Sequence, residues 1–135
     1  MIGIVIASHG PMADAILETS KWFFSDQEQF TSIGLQPGQD LEEFDSLLQE
    51  KIAEVDSGDG VLVFVDLLFG TPCNRTALML NDNVEVIAGV NLGVILEVLG
   101  GRQYYEGSLK EYTNELIEIC KGSVGDLKEI LNAVE

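Results

Sequence analysis

The sequence predicts an α/β fold: a three-layer, open and mostly parallel sheet in the strand order 2-1-3-4, with helices on both faces. Three observations predict it. Short apolar runs at residues 2–7, 30–35, 61–65 and 84–88 have strand length, and the first and third are apolar on consecutive residues, as in strands buried on both sides. Between the runs, apolar residues recur at helical spacing, the alternation that builds parallel sheets with right-handed crossovers. Gly, Pro, Asn and Asp punctuate the junctions. A length of 135 residues fits a single domain, 1–135, able to bury its own core without a metal or disulfide staple.

The first strand, Ile2-Gly3-Ile4-Val5-Ile6-Ala7, stops at Ser8-His9-Gly10-Pro11. Pro11 suits the first position of a helix, and Met12, Ala13, Ile16, Leu17, Phe23 and Phe24 extend the helical period to about residue 24. Trp22-Phe23-Phe24 reads as core and helix-end packing. After the second strand, Gln36-Pro37-Gly38 turns the chain, and Asp40 with Glu43 resembles a capping box. Leu41, Phe44, Leu47, Leu48 and Ile52 form the buried stripe of that helix. Val61 to Val65 is the clearest strand and ends at Asp66, followed by a helix from Pro72 to about residue 80. The fourth strand follows Asn81-Asp82-Asn83, and an apolar helix covers residues 92–99. Ser108 and Glu111 form a second capping box before the stripe Leu109, Tyr112, Leu116, Ile119 and Cys120. Leu127, Ile130, Leu131 and Val134 mark a short last helix.

Composition narrows the function. With 23 acidic residues against 7 basic ones, the formal charge is −16, which excludes nucleic acid and disfavours anionic membrane surfaces. Such a surface suits basic protein partners, or simply solubility. Cys73 and Cys120 stand apart, with no Cys-x-x-Cys and a single histidine in the chain, so no metal site and no cofactor are expected. No run approaches the roughly 18–20 apolar residues of a membrane span, and the apolar start is too short for a signal peptide. A soluble cytoplasmic protein is the expectation.

In open parallel sheets the ligand crevice lies beyond the carboxyl ends of the strands, where strand order reverses. In a 2-1-3-4 order that point falls between the first and third strands, which brings His9 and Asp66 together. A carboxylate beside an imidazole fixes its tautomer and leaves the other nitrogen as a nucleophile. Gly10-Pro11 and Gly70-Thr71-Pro72 open helices at the same crevice, whose N-termini suit an anion, and Ser8 and Thr71 add hydroxyls. Ser8, Gly10, Gly70 and Thr71 are therefore expected to bind phosphate, with His9 and Asp66 catalytic. Taken singly, each has a plainer reading: a solvated histidine, an aspartate that forms a turn, loop glycines. Convergence at one switch point carries the functional reading.

These residues also resemble a family. Ala7-Ser8-His9-Gly10 followed by Ala13, Ile16 and Leu17, the segment from Val65 to Asn74 with its Asp-x-x-x-Gly-Thr-Pro-x-Asn pattern, and Gly89-Val90-Asn91 before an apolar helix are similar to the mannose-type enzyme IIA domain of the sugar phosphotransferase system. The resemblance runs from Met1 to about residue 120. It implies that His9 takes a phosphoryl group from the phosphocarrier HPr and gives it to a IIB component for sugar uptake, with Asp66 orienting the ring and Gly70–Thr71 holding the phosphoryl group. It implies a homodimer, often with an exchanged edge strand, which residues near Ser123 and Val124 would supply as the antiparallel edge. Association with the membrane transporter is then peripheral, and with no IIB domain in these 135 residues the acceptor is expected on a separate chain. Phe69 departs from the pattern, standing where relatives often carry a second glycine, which bears on the pocket rim. Other readings stay open: a phosphoryl-donor subunit of a dihydroxyacetone kinase, a regulatory module sensing phosphorylation at His9, or a receiver-like domain phosphorylated on Asp66, though the last lacks the acidic metal ligands such a domain needs.

Overall fold

The computed structural model describes residues 1–133. Four strands, β1 (Gly3–His9), β2 (Phe30–Leu35), β3 (Val61–Val65) and β4 (Val84–Ala88), form one sheet in the order β2-β1-β3-β4. Every pairing is parallel, with Ile6 opposite both Ser32 and Phe64, and Val65 opposite Ala88. The helices are α1 (Met12–Ser20), α2 (Leu41–Val55), α3 (Thr71–Ala77), α4 (Leu92–Gly101), α5 (Leu109–Gly122) and α6 (Leu127–Ala133). Val134 lies outside the described residues.

Side chains alternate across the sheet, so β1 and β3 feed two cores. Ile4, Ile6, Leu62 and Phe64 pack with Ala13, Val94, Ile95, Val98 and Leu116 on one face. Val5, Ala7, Val61, Val63 and Val65 pack with Phe44 and Leu48 on the other. That two-sided burial is why both strands read as unbroken apolar runs. Burying one such side chain contributes about 1.5–3 kcal/mol, so the central strands anchor the fold.

Several local expectations change. α1 stops at Ser20, where tighter turns take over: Lys21 N–H donates to the Glu18 carbonyl at 3.2 Å and Trp22 N–H to that of Thr19 at 3.0 Å. Trp22 and Phe23 consequently face solvent, while Phe24 alone of the three packs against the core. Pro11 caps α1 from just outside rather than occupying its first turn. The Asp40 side chain makes no capping bond, and Leu41 and Leu47 sit at the exposed margin of their helix, as Ile119 does on α5. At Ser108 the N-cap half of the box forms, its Oγ accepting from Glu111 N–H at 3.1 Å, while Glu111 Oε1 accepts from the Ser108 hydroxyl at 3.1 Å in place of the reciprocal bond to the Ser108 backbone N–H. Ser123 and Val124 lie in the exposed link between α5 and α6, and the sheet has no antiparallel edge strand among the described residues. Among those residues no helix is long and apolar enough to cross a membrane.

At the amino ends of the strands, Arg102 is only 2% exposed. Its Nη1 donates to the carbonyls of Ile2 at 2.9 Å and Gln29 at 2.8 Å, and its Nη2 to that of Glu28. This one guanidinium ties the entry to β1, the turn before β2 and the end of α4 into a single unit.

Candidate functional site

The carboxyl ends of β1 and β3 lie side by side, and the sheet register fixes what emerges from them. His9 ends β1 opposite Leu35 of β2, while β3 stops at Val65, so Asp66 is the next residue on the neighbouring strand. Asp66 Oδ2 accepts two hydrogen bonds from the same residue: His9 N–H at 3.0 Å and His9 Nδ1–H at 2.8 Å. The aspartate is 11% exposed and the imidazole 46%, so the carboxylate sits beneath the ring and the ring faces solvent.

Burial pushes the Asp66 carboxyl upward, but the hydrogen bonds and charge from His9 outweigh it and hold it below the ordinary carboxylate range. Asp66 is therefore ionised at neutral pH and can only accept. The proton of the neutral imidazole consequently resides on Nδ1, which leaves Nε2 with its lone pair and no bond to any described residue. The arrangement yields one nucleophilic nitrogen on an anchored ring.

The backbone closes in around that ring. A Cβ placed on Gly70 would fall 2.8 Å from His9 Cε1, so glycine is what lets the β3–α3 loop lie against the imidazole. On the other side, Gly10 takes φ +56°, and a side chain on its β2 neighbour Gly34 would meet the Gly10 carbonyl at 2.1 Å. Gly34 is thus a supporting residue that spacing arguments along β1 and β3 did not single out. Thr71 is half-buried at the first position of α3, with Gly70 as its cap.

Ser8 differs from its expected place. It is fully buried, accepts from Ala13 N–H at 2.7 Å and donates to the His9 carbonyl at 3.1 Å. Adjacent residues of a strand point to opposite faces, so Ser8 and His9 do not share the crevice; the serine hydroxyl fastens the start of α1 instead. Gly10, Gly70 and Thr71 do gather with His9 and Asp66.

Comparison with known proteins now bears on this geometry. Residues 3–117 match the family described as "PTS system fructose IIA component". The chain belongs to that family. It is 35% identical over 103 residues to the "PTS system mannose-specific EIIAB component" of Escherichia coli strain K12, a match covering 75% of this chain and 32% of that protein. The chain therefore spans about a third of the length of that curated relative. It is 27% identical to the "PTS system fructose-specific EIIA component" of Bacillus subtilis strain 168, over all of this chain and 92% of the relative. Among solved structures, the PTS IIA protein associated with the fucose utilization operon of Streptococcus pneumoniae superposes with a TM-score of 0.84 at 26% identity, covering 96% of this chain and 95% of that one.

The β3–α3 loop carries a second unforeseen feature. Phe69 is the third residue of a turn closed by Gly70 N–H donating to the Leu67 carbonyl at 3.0 Å, and it takes φ +65°. Its side chain is 76% exposed and does not close over His9. The rim is open.

Proposed function

We propose that this IIA component is a phosphohistidine carrier: His9 Nε2 accepts a phosphoryl group from phosphorylated HPr and donates it to a IIB component during sugar uptake. The observation that carries the reading is the 2.8 Å bond from His9 Nδ1–H to Asp66 Oδ2, which leaves Nε2 free to attack. In the transfer the Nε2 lone pair bonds to phosphorus, and the donor N–P bond breaks with its electron pair returning to the donor imidazole. His9 gains positive character, which the Asp66 carboxylate stabilises. The amides at Gly70 and Thr71 are the groups suited to the phosphoryl oxygens. Onward transfer runs the same step in reverse toward the IIB nucleophile.

The surroundings suit a protein partner. Leu67, Leu68 and Phe69 are exposed together beside His9, an apolar patch of the kind that anchors interfaces. The formal charge of −16 favours partners with basic faces. The relatives named above carry mannose, fructose and fucose in their names, and a phosphate-sized site at His9 reads no sugar. None of the relatives named above is a dihydroxyacetone kinase component by its name. A homodimer across β4 is supported by that strand's place at the edge of the sheet among the described residues and by the apolar residues Leu68, Leu80, Val86 and Ala88 beside it.

The decisive experiment supplies phosphoenolpyruvate, enzyme I and HPr with radiolabelled phosphate. An acid-labile, base-stable adduct is expected on the parent chain and none on His9→Ala. Since His9 is the only histidine, label of that chemistry on the variant overturns the assignment. Chase with a IIB protein and with a dihydroxyacetone kinase identifies the recipient, and sedimentation velocity reads the dimer.

A further inference from the structure

Phe69 occupies a backbone conformation that its side chain opposes. The turn from Leu67 to Gly70 puts its third residue at φ +65°, the position and sign at which type II turns ordinarily take glycine. A Cβ-bearing residue is held there only where neighbouring contacts over-determine it. Burial of the Phe69 ring supplies no such contact, because the ring is largely in solvent. One contact from outside the turn does reach it. Asn74, in the second turn of α3, donates from its Nδ2 to the Phe69 carbonyl oxygen at 3.2 Å, while its own N–H donates to the Gly70 carbonyl at 2.9 Å. Asn74 thereby holds two successive carbonyls of the loop, immediately before and at the glycine that abuts His9 Cε1.

We propose that Asn74 is a positioning residue: its side-chain amide clasps the Phe69 carbonyl, keeps the turn in its left-handed form, and so sets Gly70 against the His9 imidazole. Without the clasp, Phe69 relaxes to negative φ, the peptide between Phe69 and Gly70 rotates, and the glycine leaves the ring edge. The ring then keeps its bond to Asp66 but loses the wall that fixes its orientation. Its Nε2 swings relative to the Gly70 and Thr71 amides. The catalytic consequence rests on the phosphocarrier reading of His9; the positional consequence does not.

The inference makes a pairwise prediction that a general stabilising role does not. Asn74→Ala should slow phosphoryl acceptance from phosphorylated HPr by about tenfold to a hundredfold, the usual range for a misplacement near 1 Å. The loss should fall on the maximal rate, with the half-saturating HPr concentration unchanged. Phe69→Gly accepts the left-handed turn unaided but also removes an aromatic ring from the partner-facing patch, so it serves as its own reference: adding Asn74→Ala to Phe69→Gly should change the rate by less than about threefold. Independently of any phosphoryl transfer, the lone imidazole gives one set of ring signals in 15N-edited NMR. These should broaden or shift in Asn74→Ala and recover in the double variant. If Asn74→Ala does not fold, Phe69→Gly compared with Phe69→Gly/Asn74→Ala decides, the two being expected to have equal rates and equal ring signals. A double variant slower than Phe69→Gly by as much as Asn74→Ala is slower than the parent, or ring signals in Asn74→Ala identical to the parent's, overturns the clasp. If the parent accepts no phosphate, the carrier reading fails while the ring signals still judge the clasp.

Discussion

Asp66→Asn is the most informative single substitution, because the amide cannot satisfy the site in either orientation. With its oxygen in the place of Oδ2, the variant still accepts from His9 N–H and Nδ1–H, but its NH2 takes the place of Oδ1, a buried atom with no hydrogen-bond partner. With the amide reversed, the NH2 faces the His9 N–H and drives Nδ1 to become an acceptor, which moves the proton to Nε2 and removes the nucleophile. Even the better orientation loses the negative charge beneath the ring. Two unit charges about 4 Å apart interact by about 1 kcal/mol in water and about 4 kcal/mol at an effective dielectric of 20. For a ring 46% exposed we take an intermediate value of about 2–3 kcal/mol, or roughly 30- to 150-fold in rate. Tautomer reversal adds to that, so phosphoryl acceptance should fall about 10²–10³-fold. Rapid-quench measurement of phosphohistidine formation from phosphorylated HPr tests the rate, and the 15N shifts of the lone imidazole report the tautomer. A rate within threefold of the parent, with Nδ1 still protonated, refutes the reasoning.

Three further outcomes are expected. Arg102→Met should lower unfolding stability by about 3–5 kcal/mol, since it leaves buried carbonyls without their donor, and urea denaturation measures it; a loss under about 1 kcal/mol contradicts the clamp at the amino ends of the strands. Ser8→Ala should cost about 1 kcal/mol in the same assay by freeing the Ala13 amide, and transfer from phosphorylated HPr should stay within a few-fold of the parent; a hundredfold loss returns Ser8 to the phosphate. The folded-state pKa of Asp66 is depressed, so its ionised form contributes stability that is complete above the ordinary carboxylate value of about 4 and is lost as pH falls through the depressed value. The difference in urea midpoint between parent and Asp66→Asn should therefore shrink on acidification below about pH 4, and a difference that grows there contradicts the sign.

Much of this was legible in the sequence because it depended on composition and order. Val61 to Val65 is buried on both faces, so its apolar run has no competing reading. The meeting of His9 and Asp66 follows from strand order alone. What was not legible depended on backbone details that residue types do not encode. Ser8 offers a hydroxyl next to His9 in sequence, but neighbours on a strand point apart and its oxygen is buried against the Ala13 amide. Trp22 and Phe23 fit a helical period, but α1 ends at Ser20, whose hydroxyl donates to the Leu17 carbonyl at 2.6 Å. The clasp at Asn74 acquires meaning only once φ of Phe69 is known, and Arg102 only once three strand-end carbonyls converge on it.

The open side of the His9 ring carries a kinetic consequence. Asp66 occupies one nitrogen and Gly70 abuts the edge, so a IIA carrier of this geometry has a single berth. Donor and acceptor must reach the same atom from the same direction, and no ternary complex can hold both. If His9 carries the phosphoryl group as proposed, transfer through this chain is strictly alternating, with ping-pong kinetics in the two partners. An excess of unphosphorylated donor would compete with the acceptor for the loaded chain, so flux would respond to the ratio of the two partners as well as to their amounts.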